Sequence, residues 1–136
     1  MTRLIILVVL ALIAIGVAFL LQRRRPEPPS APSYRAPSQL DRSEFAGPTD
    51  LPLIVVFAST TCNSCPVVWE EVERSKTDAF AIERVNVQDD PRRHDRYKID
   101  GVPTTLVVGA DGVVNAAFFG PLGEGVLAGA IDAITG

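Results

Sequence analysis

The sequence is poor in the side chains that build metal centres and disulfide-stabilised folds. Its 136 residues include two cysteines, Cys62 and Cys65, and one histidine, His94. A small secreted scaffold uses more cysteines, spread along the chain, and a structural zinc site needs four ligands. The pair is therefore either reactive or incidental, and its position directly after an apolar run favours a reactive pair. We expect neither a metal nor a cofactor.

The first 25 residues contain no acidic side chain, although the chain as a whole is acidic. Four basic residues lie there: Arg3, Arg23, Arg24 and Arg25. Removing these four from the total of 13 leaves 9 basic against 16 acidic residues, a net charge of −7 for the rest of the chain. A domain this acidic is not expected to bind nucleic acid. The arginines are instead typical of a membrane edge.

No charged side chain interrupts residues 4–21. As a helix this run is about 27 Å long, close to the thickness of the hydrocarbon core of a bilayer. A cleaved signal peptide and a buried core helix are the alternatives. The run ends in Leu20-Leu21-Gln22 before the arginines, which is a poor cleavage sequence. Residues 1–25 are therefore predicted to form an uncleaved, single-pass anchor in the cell membrane.

The basic residues at the two ends of this run favour one orientation. Lysine and arginine are enriched on the cytoplasmic side of membrane helices. One arginine precedes the run and three follow it, so we expect the rest of the chain to face the cytoplasm. The amino terminus reduces the difference to about one charge, and an outward-facing domain remains the alternative.

Residues 26–39 are rich in proline and serine. Closely spaced prolines exclude a helix interior or a central strand, and such segments favour extended conformations. We predict a semi-rigid spacer here, with plain disorder as the alternative. One domain is then predicted over residues 40–136.

That domain alternates between apolar, strand-like runs and amphipathic segments. Strands are predicted at residues 51–59, 81–87, 104–108 and 113–118, and helices at residues 62–76, 89–98 and 123–134. The strand–helix–strand start favours a parallel pair, whereas Ala110-Asp111-Gly112 predicts an antiparallel hairpin. The expected fold class is α/β, with a central mixed sheet of about four strands flanked by helices.

Cys62 and Cys65 lie at the junction of the first strand and the first helix. Thiolate is the reactive form of cysteine, and the free N–H groups and dipole of a helix N-terminus stabilise an anion. We therefore predict Cys62 as the exposed nucleophile and Cys65 as the buried resolving thiol of a redox-active disulfide. Asn63 and Ser64 complete the active-site loop. Two structural cysteines, half of an intermolecular metal site and a peroxidase cysteine are the alternatives.

These motifs together resemble the thioredoxin family over residues 40–136. The resemblance is carried by Phe57-x4-Cys62-x2-Cys65, by residues 84–87 and 97–104, by the Asp111-Gly112 hairpin and by Gly120. It implies a thioredoxin-like fold and thiol–disulfide oxidoreductase activity on protein substrates with disulfides or thiols. We expect the protein to be a monomer.

The resemblance also implies roles for residues outside the cysteine pair. Pro103 is expected to follow a cis peptide bond opposite the cysteines, and the backbone of Val102 is expected to pair with an extended substrate. Thr61, directly before the first cysteine, completes the implied substrate-binding residues.

The chain departs from the thioredoxin pattern around the cysteines. The family has Trp where this chain has Thr61, Gly-Pro where it has Asn63-Ser64, and a buried Asp, which accepts the proton of the resolving thiol, where it has Val56. These differences favour a specialised, partner-specific role over general disulfide reduction.

Two other functions are compatible with the sequence. The first is a redox-inert interaction module. The second is an extracytoplasmic oxidase or cytochrome-maturation reductase. Of the remaining conspicuous side chains, Trp69 is expected to pack in the core. His94 lies in the charged segment at residues 92–96 and is expected on a solvated helix face.

Overall fold

The structure is a computed structural model that describes residues 1–23 and 35–136. The chain divides into two units at residues 33 and 34, and each is described by itself. Arg24, Arg25 and most of the predicted spacer, residues 26–34, lie outside the described residues. The boundaries of anchor, spacer and domain therefore stay predictions.

The first unit contains one α-helix, α1, at Thr2–Arg23. Its segment Thr2–Leu20 is 19 residues long and apolar enough to cross a membrane. Apolar side chains surround the helix on all sides, a pattern found in membrane spans and in fully buried core helices. No residue of the segment is buried within the described chain, which separates it from a core helix. An N-terminal signal sequence meets the same criteria of length and composition.

The second unit is built on a mixed, four-stranded sheet with the strand order β2-β1-β3-β4. The strands are β1 at Leu53–Ala58, β2 at Ala81–Asn86, β3 at Thr104–Val108 and β4 at Val114–Phe119. β1 pairs in parallel with β2 and antiparallel with β3, and β3 pairs antiparallel with β4. The predicted fold class, the parallel start and the hairpin are confirmed.

Three helices complete this unit: α2 at Cys65–Ser75, α3 at Pro91–Arg96 and α4 at Val126–Thr135. The start of α2 was predicted at residue 62 and is wrong by three residues. Pro66 occupies the first turn of α2, where a missing N–H costs least, and this fixes the start just before it. Asp90 caps α3 by accepting the backbone N–H of Arg93. The hydrogen bonds from Arg93 lower the pKa of this carboxyl.

The sheet is covered on both faces. All six residues of β1 are buried, and they alternate between two apolar clusters. Leu53, Val55 and Phe57 face the cluster beside α3. The other three face the cluster that contains Cys65 and the buried side chains of α2 and α4. The β1 sequence is apolar at every position because both faces of the strand are buried.

The chain enters the second unit along the hairpin between β3 and β4. Gln39 forms an isolated antiparallel bridge with Val113, and the Leu40 N–H donates to the Gly112 carbonyl at 2.8 Å. A short 3₁₀ helix follows at Arg42–Glu44. The buried Arg42 guanidinium donates to three backbone carbonyls, those of Phe45, Pro48 and Leu51.

The expectation that His94 lies on a solvated helix face is wrong. Its side chain is buried, its Nε2 lies 2.9 Å from the carbonyl oxygen of Val85, and its ring packs edge-on against Phe57. Arg92, Asp95 and Arg96 are exposed, whereas Arg93 is half-buried beside Glu83 and lies over the Phe45 ring. Trp69 packs against the cluster that contains Cys65, as predicted.

Candidate active site

The cysteine pair lies in the turn that joins β1 to α2. The turn is held by the Cys62 N–H, which donates to the Ser59 carbonyl at 3.2 Å. It is also braced from the loop after β2, where the Gln88 side chain accepts the Thr60 N–H at 3.0 Å and donates to Ser59 Oγ at 2.7 Å. Gln88 and Ser59 are not predictable from the sequence as supporting residues, because residues 29 positions apart carry no local signal of this contact.

Cys62 and Cys65 form a disulfide. The two sulfurs differ in environment: Cys62 is partly exposed, whereas the side chain of Cys65 is buried at 2 % relative exposure. Cys62 is therefore the more accessible of the two cysteines. The assignment of Cys62 as the attacking and Cys65 as the resolving cysteine stays a prediction.

Hydrogen-bond donors converge on the exposed sulfur. The backbone N–H of Cys65, in the first turn of α2, donates to Cys62 Sγ at 3.2 Å, and Ser64 Oγ lies 3.6 Å from the same atom. An unpaired N–H at a helix N-terminus carries partial positive charge and stabilises an anion. Donors of this kind favour the thiolate form of a cysteine in general.

The buried sulfur lies in apolar surroundings. Val56, at the position where the thioredoxin pattern has an aspartate, is fully buried in the same cluster as Cys65. A valine has no group that accepts a proton, so this position offers the Cys65 thiol no base. Among residues 1–23 and 35–136, no three His, Cys, Asp or Glu side chains are grouped to hold a metal.

The predicted substrate-binding residues lie at the same end of the sheet as the cysteines. β1 and β3 are antiparallel and pair Phe57 with Thr104. The turn after β1 and the loop before β3 therefore lie at the same end of the sheet. The Val102–Pro103 bond is cis, as the resemblance implies. Val102 is exposed and Pro103 is buried. Thr61 and Asn63 are exposed beside the disulfide.

No protein-family model matches the chain. A curated protein named thioredoxin, from Methanocaldococcus jannaschii, is 37 % identical to it over 59 residues, which cover 41 % of this chain and 69 % of the relative. This similarity and the cysteine spacing indicate a thiol–disulfide oxidoreductase. With the mixed sheet, the flanking helices and the disulfide at the start of α2, they show that the chain belongs to the thioredoxin family.

Proposed function

We propose that this protein is a membrane-tethered thiol–disulfide oxidoreductase that acts on protein partners through a dithiol–disulfide cycle of Cys62 and Cys65. The observation that carries the proposal is the asymmetry of the disulfide. Cys62 is accessible and receives the N–H of a helix N-terminus, whereas Cys65 is buried one turn away. An exchange enzyme needs one activated, accessible thiol and one that is protected from partners.

In the reducing direction, the Cys62 thiolate attacks one sulfur of a partner's disulfide. A bond forms between Cys62 Sγ and that sulfur, and the partner's other sulfur leaves as a thiolate. The thiolate of Cys65 then attacks Cys62 Sγ, closes the Cys62–Cys65 disulfide and releases the second partner thiolate. Two electrons pass from the dithiol to the partner, and the two protons of the dithiol are returned to the released thiolates through solvent. Oxidation of a partner dithiol is the reverse sequence.

We propose that the partner is held next to the disulfide by backbone pairing. Val102 is exposed at the end of the sheet where Cys62 lies, and an extended peptide can pair with such a backbone edge. Thr61 and Pro103 then contact the segment of the partner that carries the reacting sulfur. The small, polar side chains of Thr61, Asn63 and Ser64 favour a partner with a specific surface over general disulfide reduction.

We further propose that α1 spans the membrane and that the second unit faces the cytoplasm. The support is the length of the apolar helix and the excess of arginine after it. The compartment sets the direction of exchange, because the cytoplasmic thiol pool is reducing whereas extracytoplasmic compartments are oxidising.

The exchange activity is tested by equilibrating the full-length protein, in detergent, with mixtures of reduced and oxidised glutathione. The thiols are then blocked with a mass-labelled reagent. We expect a single two-electron transition in which both cysteines change together and reversibly. If no glutathione ratio interconverts the two forms, the protein is a redox-inert module and the proposal is wrong.

The orientation is tested by fusing a reporter after Gly136 that works on only one side of the membrane. We expect a cytoplasmic reporter to be active and an extracytoplasmic one to be silent, with both fusions retained in the membrane fraction. The opposite pattern would favour the extracytoplasmic oxidase or reductase. Release of the fusion from the membrane would show that α1 is a cleaved signal sequence.

A further inference from the structure

Thr105 is a fully buried residue of β3 whose hydroxyl is unpaired. Its side chain has 0 % relative exposure, and Oγ1 has no hydrogen-bond partner among the described residues. Buried hydroxyls almost always have a partner, because an unpaired one is destabilising. Valine has nearly the same shape without this penalty, so the hydroxyl calls for an explanation.

The strand register places this hydroxyl on the same side of the sheet as Cys65. Thr105 pairs with Val56 of β1 and with Phe118 of β4. Val56 and Phe118 both pack in the cluster that contains Cys65, as does Val107, two residues further along β3. Since residues i and i+2 of a strand share a face, the Thr105 side chain points into that cluster.

Thr105 also lies beside the position that is vacated by the family's carboxylate. Directly opposed residues in antiparallel strands have Cβ atoms about 5 Å apart, and Val56 is the residue opposite Thr105. The cluster therefore holds a hydroxyl one strand away from the place where the thioredoxin pattern puts an aspartate. Because Val56 has no polar group, the Thr105 hydroxyl is the polar group beside this position.

In the reduced protein, a hydrogen bond from this hydroxyl would stabilise the buried thiolate of Cys65. Opening the disulfide creates a buried thiol at Cys65, and the resolving step requires it to become a thiolate. Burial in apolar surroundings opposes that charge, and a donated hydrogen bond stabilises it. In the disulfide form, Cys65 Sγ is bonded to Cys62 Sγ and the Thr105 hydroxyl is unpaired, so the contact is expected only once the disulfide opens and the Cys65 side chain is free to rotate.

We propose that the Thr105 hydroxyl is the hydrogen-bond partner of Cys65 in the reduced protein, accepting from its S–H and donating to its thiolate during resolution. The inference rests on the proposed exchange function. The hydroxyl keeps its own proton throughout, and the proton of Cys65 passes through solvent to the leaving thiolate. Thr105 is thus a positioning residue that sets how readily Cys65 ionises.

The test compares Thr105→Val, which removes the hydroxyl at nearly constant shape, with Thr105→Ser, which keeps it. The reduced full-length protein is mixed with an aryl disulfide whose thiolate absorbs visible light, and absorbance is followed by stopped flow. The first thiolate reports attack by Cys62, and the second reports resolution by Cys65. In Thr105→Val we expect resolution to slow by about tenfold or more, with an unchanged first step. Thr105→Ser is expected to stay within about threefold of the parent protein.

Two further readouts separate this role from a structural one. In a Cys62→Ser background, alkylation of Cys65 against pH should shift upward by about one pH unit in Thr105→Val, because the pKa of the thiol rises. Thr105→Val should also resist urea at least as well as the parent protein in the oxidised state, since it removes an unpaired hydroxyl. A structural role predicts lower stability with no change in the alkylation profile.

The same experiments distinguish a failure of the exchange function from a failure of the role proposed for Thr105. If the parent protein releases only one thiolate, the exchange function itself is wrong. If the parent protein releases both and Thr105→Val resolves at the parent rate with the parent alkylation profile, the role of Thr105 is overturned and the exchange function stands.

Discussion

A Cys62→Ser variant is expected to lose disulfide exchange entirely, whereas Cys65→Ser should retain the first step and accumulate mixed disulfides. Serine at position 62 removes the accessible sulfur, and the sulfur of Cys65 is buried at 2 % relative exposure. Serine at position 65 leaves Cys62 and the helix N–H that donates to it, but removes the thiol that releases the partner. The variants are compared by non-reducing electrophoresis after expression in cells whose thiols are blocked at lysis.

The matched control for this pair is Ser75→Ala, which removes a hydroxyl at the far end of α2 and keeps both sulfurs. It should complete the cycle and trap no partner. Equal trapping by Cys62→Ser and Cys65→Ser would contradict the assigned roles, and stronger trapping by Cys62→Ser would reverse them. Proteins that are captured by Cys65→Ser and released by reductant are candidates for the partner.

Val56→Asp is expected to lower the free energy of unfolding by about 3 kcal/mol or more at neutral pH. Val56 is fully buried between β2 and β3, so the substitution places a carboxyl in an apolar cluster. Although the thioredoxin pattern has an aspartate here, the side chains that form the cluster around this position are apolar. Chemical denaturation of the oxidised protein measures the loss.

The loss should depend on pH. Burial raises the pKa of the introduced carboxyl above the value near 3.9 of an unfolded chain. The folded state then binds the proton more tightly, so the variant is least destabilised below about pH 4 and loses further stability as the pH rises through the raised pKa. Val56→Asn is the control, since it buries a polar group that does not titrate there. A penalty of equal size for both variants across this range would contradict the expectation.

The sheet was predictable because its signals are local. The β1 sequence is apolar at every position, the hairpin carries Asp111-Gly112, and α3 begins with an aspartate cap and a proline. Each of these signals lies in a few consecutive residues, and the structure has the predicted strand, hairpin or helix at those residues. The start of α2 was less predictable, because the stabilisation of a thiolate favours a helix start at Cys62, whereas Pro66 in the first turn places the start at Cys65.

The cysteines were predictable for the same reason, whereas their supporting residues were not. His94 sits among charged neighbours, and its burial depends on the packing of α3 against the sheet, where its ring meets Phe57 of β1. Gln88 supports the active-site turn from another loop. The proposed role of Thr105 depends on its pairing with Val56 of the neighbouring strand β1. Each of these roles arises from residues that are distant in the chain, which a pattern in one segment does not reveal.

The bridge between Gln39 and Val113 has a mechanical consequence. It fastens the incoming chain to the hairpin end of the sheet, while Cys62 follows the opposite end of β1. These ends are separated by the length of a six-residue strand, roughly 20 Å. A pull applied along residues 35–39 is therefore expected to act first on the hairpin, at the end of the sheet away from the turn around Cys62. Residues 35–39 therefore join this unit at the end of the sheet away from its reactive sulfur, which keeps them clear of the surface around Cys62.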